Sequence, residues 1–275
     1  MPDEIKEQGD PTDVGGQAVL PDLFYLRTMI VNLCLVGDPQ KPEAGWVLVD
    51  AGIGGMADRI IAAAEARYGE GTRPNGIILT HGHFDHVGSL EPLADHWNVP
   101  IYAHEQELPY LTGKADYPPG DPTVGGGLMA ELAPLYPNKG IDLGMRVRAL
   151  PKDGSIPGMP GWRWIPTPGH TPGHISLFRE QDRALIAGDA FITVRQESAL
   201  AVITQEKEIH GPPQYFTPDW RAAKESVARL AALQPSVAVT GHGVPMRGEE
   251  LSRGLTMLVE RFDEIAVPEE GRYIY

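Results

Sequence analysis

Apolar positions along this chain fall into two kinds of run. Some stretches are apolar at almost every position, and others carry apolar residues at helical spacing. "FYLRTMIVNLCLVG" and "GWVLVDAG" read as two strands joined by a turn around "DPQKPEAG". "MADRIIAAAEARYG" reads as a helix closed by Gly69, and "NGIILTHGH" as a short buried strand. "SLEPLADHWN" predicts a second helix, and "PIYAHEQE" a strand running into a turn. Strand and helix alternating in this way predict an α/β layered fold.

The pattern lapses over residues 108–160, where "YPPGDP", "LAPLYPNKG" and "LPKDGSIPGMPG" concentrate proline and glycine. This segment reads as a surface excursion with a short helix around "LMAELAPLY", and both a lid and a plain loop remain open for it. The alternation then resumes. "WRWIPTPG", "HISLFRE" and "RALIAGDAFI" predict strands, "PDWRAAKESVARLAAL" an amphipathic helix with Pro218 near its start, and "SVAVTGHG" a buried strand. "GEELSRGLTMLVERFDEIA" predicts a last helix with Leu251, Leu255, Leu258 and Phe262 on one face. "WVLVDAG" and "ALIAGDA" echo one another, each a strand delivering an aspartate into a glycine-containing turn, as two related halves would. Residues 1–17 are acidic and polar, without the basic and apolar regions of a signal peptide, and are expected to lead into one domain spanning 18–275.

Chemistry concentrates in "HGHFDH", residues 81–86, directly after an apolar strand. Imidazole and carboxylate are metal ligands, and Gly82 lets so short a loop turn tightly. His81 and His83 point the same way in extended chain, and Asp85 and His86 project from the turn that follows. This arrangement suits two adjacent metals, one on His81 and His83, the other on Asp85 and His86. Further ligands are expected from other strand ends, where α/β sheets place their sites. His170 in "TPGHTPGH", Asp189 in "LIAGDA" and His242 in "VAVTGHG" each stand there beside glycine. Asp189 is the natural bridge between two ions. In "TPGHTPGH" either His170 or His174 fits the spacing. His96, His104 and His210 carry no motif.

"HGHFDH" matches the HxHxDH signature of the metallo-β-lactamase-fold hydrolases, and His170, Asp189 and His242 match that family's remaining ligands in order and context. The resemblance covers residues 20 to 265 and implies an αββα sandwich of two pseudo-symmetric halves. It implies that His81, His83 and His170 hold one metal, that Asp85, His86 and His242 hold the other, and that Asp189 bridges them. It favours His170 over His174, leaving His174 in support, and it places Asp50 of "VLVDAG" behind the ligand loop as a steadying acid.

Two close Zn²⁺ ions, or Fe, Mn or Co in their place, lower the pKa of a shared water, so that hydroxide exists near neutral pH. Asp85 and Asp189 are the groups that would accept or relay a proton. The resemblance also narrows the branch. True β-lactamases commonly place Cys or Ser where this chain has Asp189. The di-iron redox branch has Glu where this chain has His83. The glyoxalase II branch adds a helical domain, whereas little chain follows His242. The compact lactonases and esterases remain, with a small-molecule ester or lactone, such as an acyl-homoserine lactone, as substrate. The alternatives are a phosphodiester or phosphotriester, a thioester, and weak promiscuous action on β-lactams. Lactonases carry a tyrosine shortly after the bridging aspartate, where this chain has Phe191 and Ile192. Phe84, Phe191, Tyr215 and Phe216 are the candidate pocket aromatics, with Arg195 and Gln196 near a polar end of the substrate.

Composition adds limits. A formal net charge of −14 repels phosphate backbones and makes nucleic acid a poor partner. One cysteine, Cys34, allows no internal disulfide. No run is apolar over the length of a membrane span, so a cytoplasmic protein is expected. A homodimer contact through the excursion and "EEGRYIY" is left open.

Overall fold

Strands that are apolar at every position require burial on both faces, and the fold supplies it. The computed structural model describes residues 16–124, 133, 136–194 and 208–274. Within them, β1 (Gly16–Leu20), β2 (Leu23–Thr28), β3 (Val31–Val36), β4 (Val47–Val49), β5 (Ile77–Ile78), β6 (Ile101–Ala103) and β7 (Val147–Ala149) form one sheet in that order. Its first four strands are antiparallel, and β4 to β7 are parallel. The second sheet runs β12 (Met246–Arg247), β11 (Val237–Thr240), β10 (Ala184–Gly188), β9 (Ile175–Arg179), β8 (Trp162–Pro166).

Period-two alternation sorts each strand's side chains between neighbouring cores. In β3 and β4, Leu33, Leu35 and Leu48 face the helices α1 (Ala57–Tyr68) and α3 (Leu90–Trp97). Cys34, Val36, Val47 and Val49 face the other sheet. From that sheet Ile175, Leu177, Ala184, Ile186, Val237 and Val239 meet them. Phe178, Leu185, Ala187 and Ala238 turn outward against α5 (Trp220–Ala232) and α6 (Gly248–Glu260). Three cores thus separate four layers, helix–sheet–sheet–helix. The echo between halves is structural too: the antiparallel pairs β3–β4 and β9–β10 are each followed by a crossover, through α1 and α5 respectively, to a parallel strand, β5 or β11.

Four expectations need correction. "FYLRTMIVNLCLVG" is two strands, because the chain reverses at Met29–Ile30 with Met29 at φ +61°. The 108–160 segment is not wholly an excursion: after the short helix α4 (Leu108–Leu111) it returns to the body as β7, the edge strand of the first sheet. The helix expected at "LMAELAPLY" lies largely outside the described residues, as do residues 1–15, while Gly16 and Gln17 already pair in β1. The final helix breaks at Arg261, and α7 (Phe262–Ile265) continues it. The short helix α2 (Phe84–Val87) begins inside "HGHFDH".

The sheets are also stapled at the rim that carries the chemistry. Asn32 of β3, buried, donates from Nδ2 to the carbonyls of Thr240 at 2.9 Å and Gly243 at 2.6 Å, and its backbone N–H donates to Gly241 O at 2.7 Å. Replacing Asn32 by alanine strands two carbonyls on either side of His242. An unmet buried group costs about 1–3 kcal/mol, so Asn32→Ala is expected to lower the denaturant midpoint accordingly. It should also weaken metal retention in dialysis, which a distant core substitution of equal cost should not do.

Candidate metal centre

The candidate residues converge on one rim. Asp50 follows β4, the "HGHFDH" loop follows β5, Asp189 follows β10 and His242 lies just past β11, while His170 stands on the β8–β9 connection. Ile175 N–H donates to Thr80 O at 3.0 Å and joins the two halves, and Gly241 N–H donates to Gly188 O at 2.8 Å, tying together the ends of β10 and β11. Gly241 admits no side chain, since a Cβ there would overlap Asp189 Oδ1 and crowd His86.

Outer hydrogen bonds fix the direction of most of the histidines. Asp50, held at φ +62°, accepts from Thr80 N at 2.8 Å through Oδ1 and from Thr80 Oγ1 at 2.8 Å through Oδ2. His86 Nδ1 lies 2.9 Å from the same Oδ2. Because Thr80 Oγ1 gives its proton to Asp50, it receives one from His81 Nδ1, 3.1 Å away. Thr217 Oγ1 donates to Pro213 O at 2.8 Å, so it accepts from His170 Nδ1 at 3.2 Å. His242 Nδ1 donates to Ile30 O at 2.8 Å. These partners leave the Nε2 atoms of His81, His86, His170 and His242 facing inward.

What they face is a cavity of ligands. The donor atoms of His81, His83 and His170 fall within 4.8 Å of one another, as do those of Asp85, His86 and His242, and those of His81, His86 and Asp189. His83 Nδ1 stands 2.9 Å from His170 Nε2. Asp189 Oδ1 is 3.4 Å from His86 Nε2, and its Oδ2 is 3.4 Å from His170 Nε2 and 3.2 Å from His242 Nε2. Asp85 Oδ2 lies 3.4 Å from His242 Nε2. His81 Nε2, His86 Nε2 and Asp189 Oδ1 are buried without a hydrogen-bond partner. Buried polar atoms are almost always satisfied, and three orphans aimed at one point fit cations of the kind imidazole and carboxylate hold.

Charge follows the same geometry. Burial and the neighbouring imidazoles hold His81 and His170 well below the usual histidine range, and burial takes His83 down to about 3. Burial also pulls His86 downward, but Asp189, Asp50 and Asp85 overcome it and raise that imidazole well above its ordinary value. His242 is raised in the same way by Asp189 and Asp85 against its burial. Asp189 is pushed up by burial, yet the fields of His242 and His86 hold it well below the carboxylate range.

The geometry separates His170 from His174. Asp189 N–H donates to His174 Nε2 at 2.9 Å, so His174 Nδ1 carries the proton that goes to Thr167 Oγ1, 2.8 Å away. Thr167 passes the chain to Ser176 Oγ at 3.0 Å, which donates to Ala187 O at 2.8 Å. Both nitrogens of His174 are spent on positioning the Asp189 backbone, and burial takes its pKa to about 4.

The aromatics divide. Phe216 lies 4.9 Å from the His83 ring, and Phe84 stacks on Tyr136 at 5.6 Å; Tyr215 joins this cluster. Phe191 does not. It is fully buried among Phe178, Leu185 and the α5–α6 side chains, because the chain turns it away from the rim after Asp189. Arg195 and Gln196 lie outside the described residues.

Glu107 escaped the sequence reading. It is fully buried and joins both histidine loops: Oε2 accepts from Gly82 N–H at 3.0 Å and from the Tyr117 hydroxyl, and Oε1 from Thr171 Oγ1 at 2.7 Å and Gly173 N–H at 2.9 Å. Burial raises its pKa, partly offset by these four donors. Tyr117, also buried, rests 4.5 Å from the His83 ring and stacks on Tyr110 at 4.0 Å. The available signal was an acid in an otherwise apolar "ELPYL" stretch.

A helix–sheet–sheet–helix fold with this histidine–aspartate rim defines a metallo-hydrolase. The chain belongs to the metallo-beta-lactamase superfamily, whose family model matches residues 29–242. It is 50% identical over 240 residues to the probable metallo-hydrolase YflN of Bacillus subtilis, covering 87% of this chain and 90% of that protein. It is 28% identical over 160 residues to the hydroxyacylglutathione hydrolase GloC of Haemophilus influenzae, covering 58% of this chain and 65% of that one. Among solved structures, TTHA1623 in a di-iron-bound form matches with a TM-score of 0.57 and 26% identity, over 86% of this chain and 98% of that chain.

Two measurements test the centre. In Glu107→Gln the new amide nitrogen cannot accept from the backbone N–H it would face, so metal affinity should fall about 10–100-fold in chelator competition. The metal-free chain keeps a proton on His86 that a cation must displace, so rising pH favours the bound form. Apparent affinity, read by calorimetry, should strengthen as pH rises, about tenfold per pH unit for each proton released.

Proposed function

We propose that this protein is a dinuclear-metal hydrolase that opens a carboxylic ester or lactone. The observation that carries the reading is the convergence of His81, His83, His170, Asp85, His86, His242 and Asp189 into three overlapping buried triads, with three of their atoms outside any hydrogen bond. His81, His83 and His170 would hold one ion, and Asp85, His86 and His242 the other. Asp189, whose two oxygens face His86 on one side and His170 and His242 on the other, would stand between them. When bound, such a pair supplies Lewis acidity toward the acyl oxygen and a nucleophile drawn from water near neutral pH. Zinc is the proposed ion. The same donors suit iron, manganese and cobalt, and the di-iron form of TTHA1623 supports iron as the alternative.

The chain's own groups do the rest. Asp85, 8% exposed, is the most solvent-open of the seven and is placed to accept or relay a proton. His174 and Asp50 keep Asp189 and His86 in register. Phe216, Phe84 and Tyr136 form an apolar wall that keeps water from the acyl group. Tyrosine, proline and phenylalanine line the hollow beside His170, which supports an uncharged acyl group over a phosphodiester. A thioester is the second reading, favoured by the likeness to a hydroxyacylglutathione hydrolase. Among the described residues no helix is long and apolar enough to cross a membrane.

The test joins metal content to a panel of acyl-homoserine lactones, aryl esters, a thioester, a phosphotriester and a β-lactam. About two ions per chain with ester or lactone turnover is expected. Asp189→Ala and His170→Ala should each lower kcat/KM at least about a hundredfold. Full activity in either variant, or after chelation, would sink the proposal, and a phosphotriester outpacing every carboxylic ester would overturn the substrate class.

A further inference from the structure

The C-terminal residues fold back onto the His170 side of the rim. The dock is Asp121, 1% exposed, whose Oδ1 accepts from Thr123 N at 3.0 Å and Thr123 Oγ1 at 2.7 Å, and whose N–H donates to Tyr215 O at 2.8 Å. Its second oxygen, Oδ2, accepts the backbone N–H of Arg272. One residue on, Tyr273 donates its hydroxyl to Pro119 O at 2.9 Å. These bonds set the Tyr273 side chain on the wall of a hollow of about 40 Å³. Tyr110, Tyr117, Pro119 and Phe216 also line it, and the His170 ring forms part of its surface. Tyr117 and Phe216 rest in turn on the His83 ring, so the hollow has one candidate ligand, His170, in its lining and another, His83, directly behind its wall.

We propose that this hollow receives the acyl chain of the substrate and that Tyr273 sets its length, which makes the C-terminal tail a specificity element for short acyl groups. The inference rests on the ester reading above and deepens it. Apart from His170 the lining is aromatic and proline, suited to methylenes, and the Tyr117 and Tyr273 hydroxyls are already spent on Glu107 and Pro119. A single water needs ~10–15 Å³ on this scale, so the space accepts a chain of about two to four carbons. A longer chain that keeps to the hollow meets the Tyr273 ring and competes with its bond to Pro119. One methylene too many in an apolar pocket costs about 10–200-fold in kcat/KM.

The experiment holds the leaving group constant and varies the acyl group, comparing p-nitrophenyl acetate, butyrate and octanoate on the full chain. The native protein is expected to favour acetate or butyrate over octanoate. Tyr273→Ala should raise the octanoate-to-acetate ratio of kcat/KM about tenfold or more, mainly through KM. Tyr273→Phe keeps the ring and should hold the ratio near native, and Tyr273→Trp should lower it. Metal content read on each sample separates a rebuilt subsite from a damaged centre. Ester turnover with the same ratio in all four proteins would overturn the acyl subsite alone. No turnover of any ester by metal-loaded native protein would overturn the ester reading and the acyl assignment with it.

Discussion

The constraint on which the rest depends is that most inward-facing histidines have their outer nitrogen already committed. Thr80, Asp50, Thr217 and the Ile30 carbonyl take the Nδ1 side of His81, His86, His170 and His242. A neutral imidazole has one donor and one acceptor nitrogen, so fixing the first aims the second. Each fixing group sits on a different element: the end of β4, the end of β5, the β2–β3 turn and the loop before α5. The four-layer fold brings those elements to one rim, and the three cores make the rim rigid enough to hold unpartnered polar atoms in place. Buried groups without partners are destabilising, which ties the packing of the whole chain to occupancy of this centre.

Much of this was legible because the ligand types are rare and their placement is local. "HGHFDH" declares itself within six residues, and His170, Asp189 and His242 follow apolar runs whose burial on both faces produces the strands. The choice of His170 over His174 came from resemblance alone; the structure adds that the Asp189 amide occupies His174 Nε2, whereas His170 Nε2 faces His83 and Asp189. Contacts between residues far apart in sequence were not legible. Glu107 meets Thr171 and Gly173 across more than sixty residues, and Asn32 meets Thr240 across 208. Nothing local in "EQELPY" or "MIVNLCL" records those partners. The Met29–Ile30 reversal was hidden because its left-handed position carries methionine rather than the glycine or asparagine that marks such turns. Phe191 was misplaced because proximity in sequence to Asp189 says nothing about side once the chain bends at Gly188, where φ is +56°.

Electrostatics and sterics meet at Asp189. Its carboxylate is the shared neighbour of His86, His170 and His242, its amide is held by His174, and Gly241 leaves it room. In the proposed reading, two carboxylates among the seven candidate ligands would leave a pair of divalent ions with net positive charge and so keep the centre electrophilic. A more acidic ligand set would bind cations more tightly and weaken that character.

The segment that reads in sequence as a surface excursion is joined to the candidate centre by hydrogen bonds. Glu107, at its entrance, fastens the "HGHFDH" loop to the "TPGHTPGH" loop; Tyr117, ten residues on, shares that carboxylate and supports His83. Asp121 then docks the C-terminal tail, and β7 closes the segment by joining the first sheet. One stretch of chain thus contributes both to the alignment of the two histidine loops, through Glu107, and to the apolar wall, through Tyr110, Tyr117 and Pro119. A change at Glu107 reaches both histidine loops at once, because one of its oxygens holds Gly82 and the other holds Thr171 and Gly173. A buried acid thus bears on the centre through the two loops that it fastens.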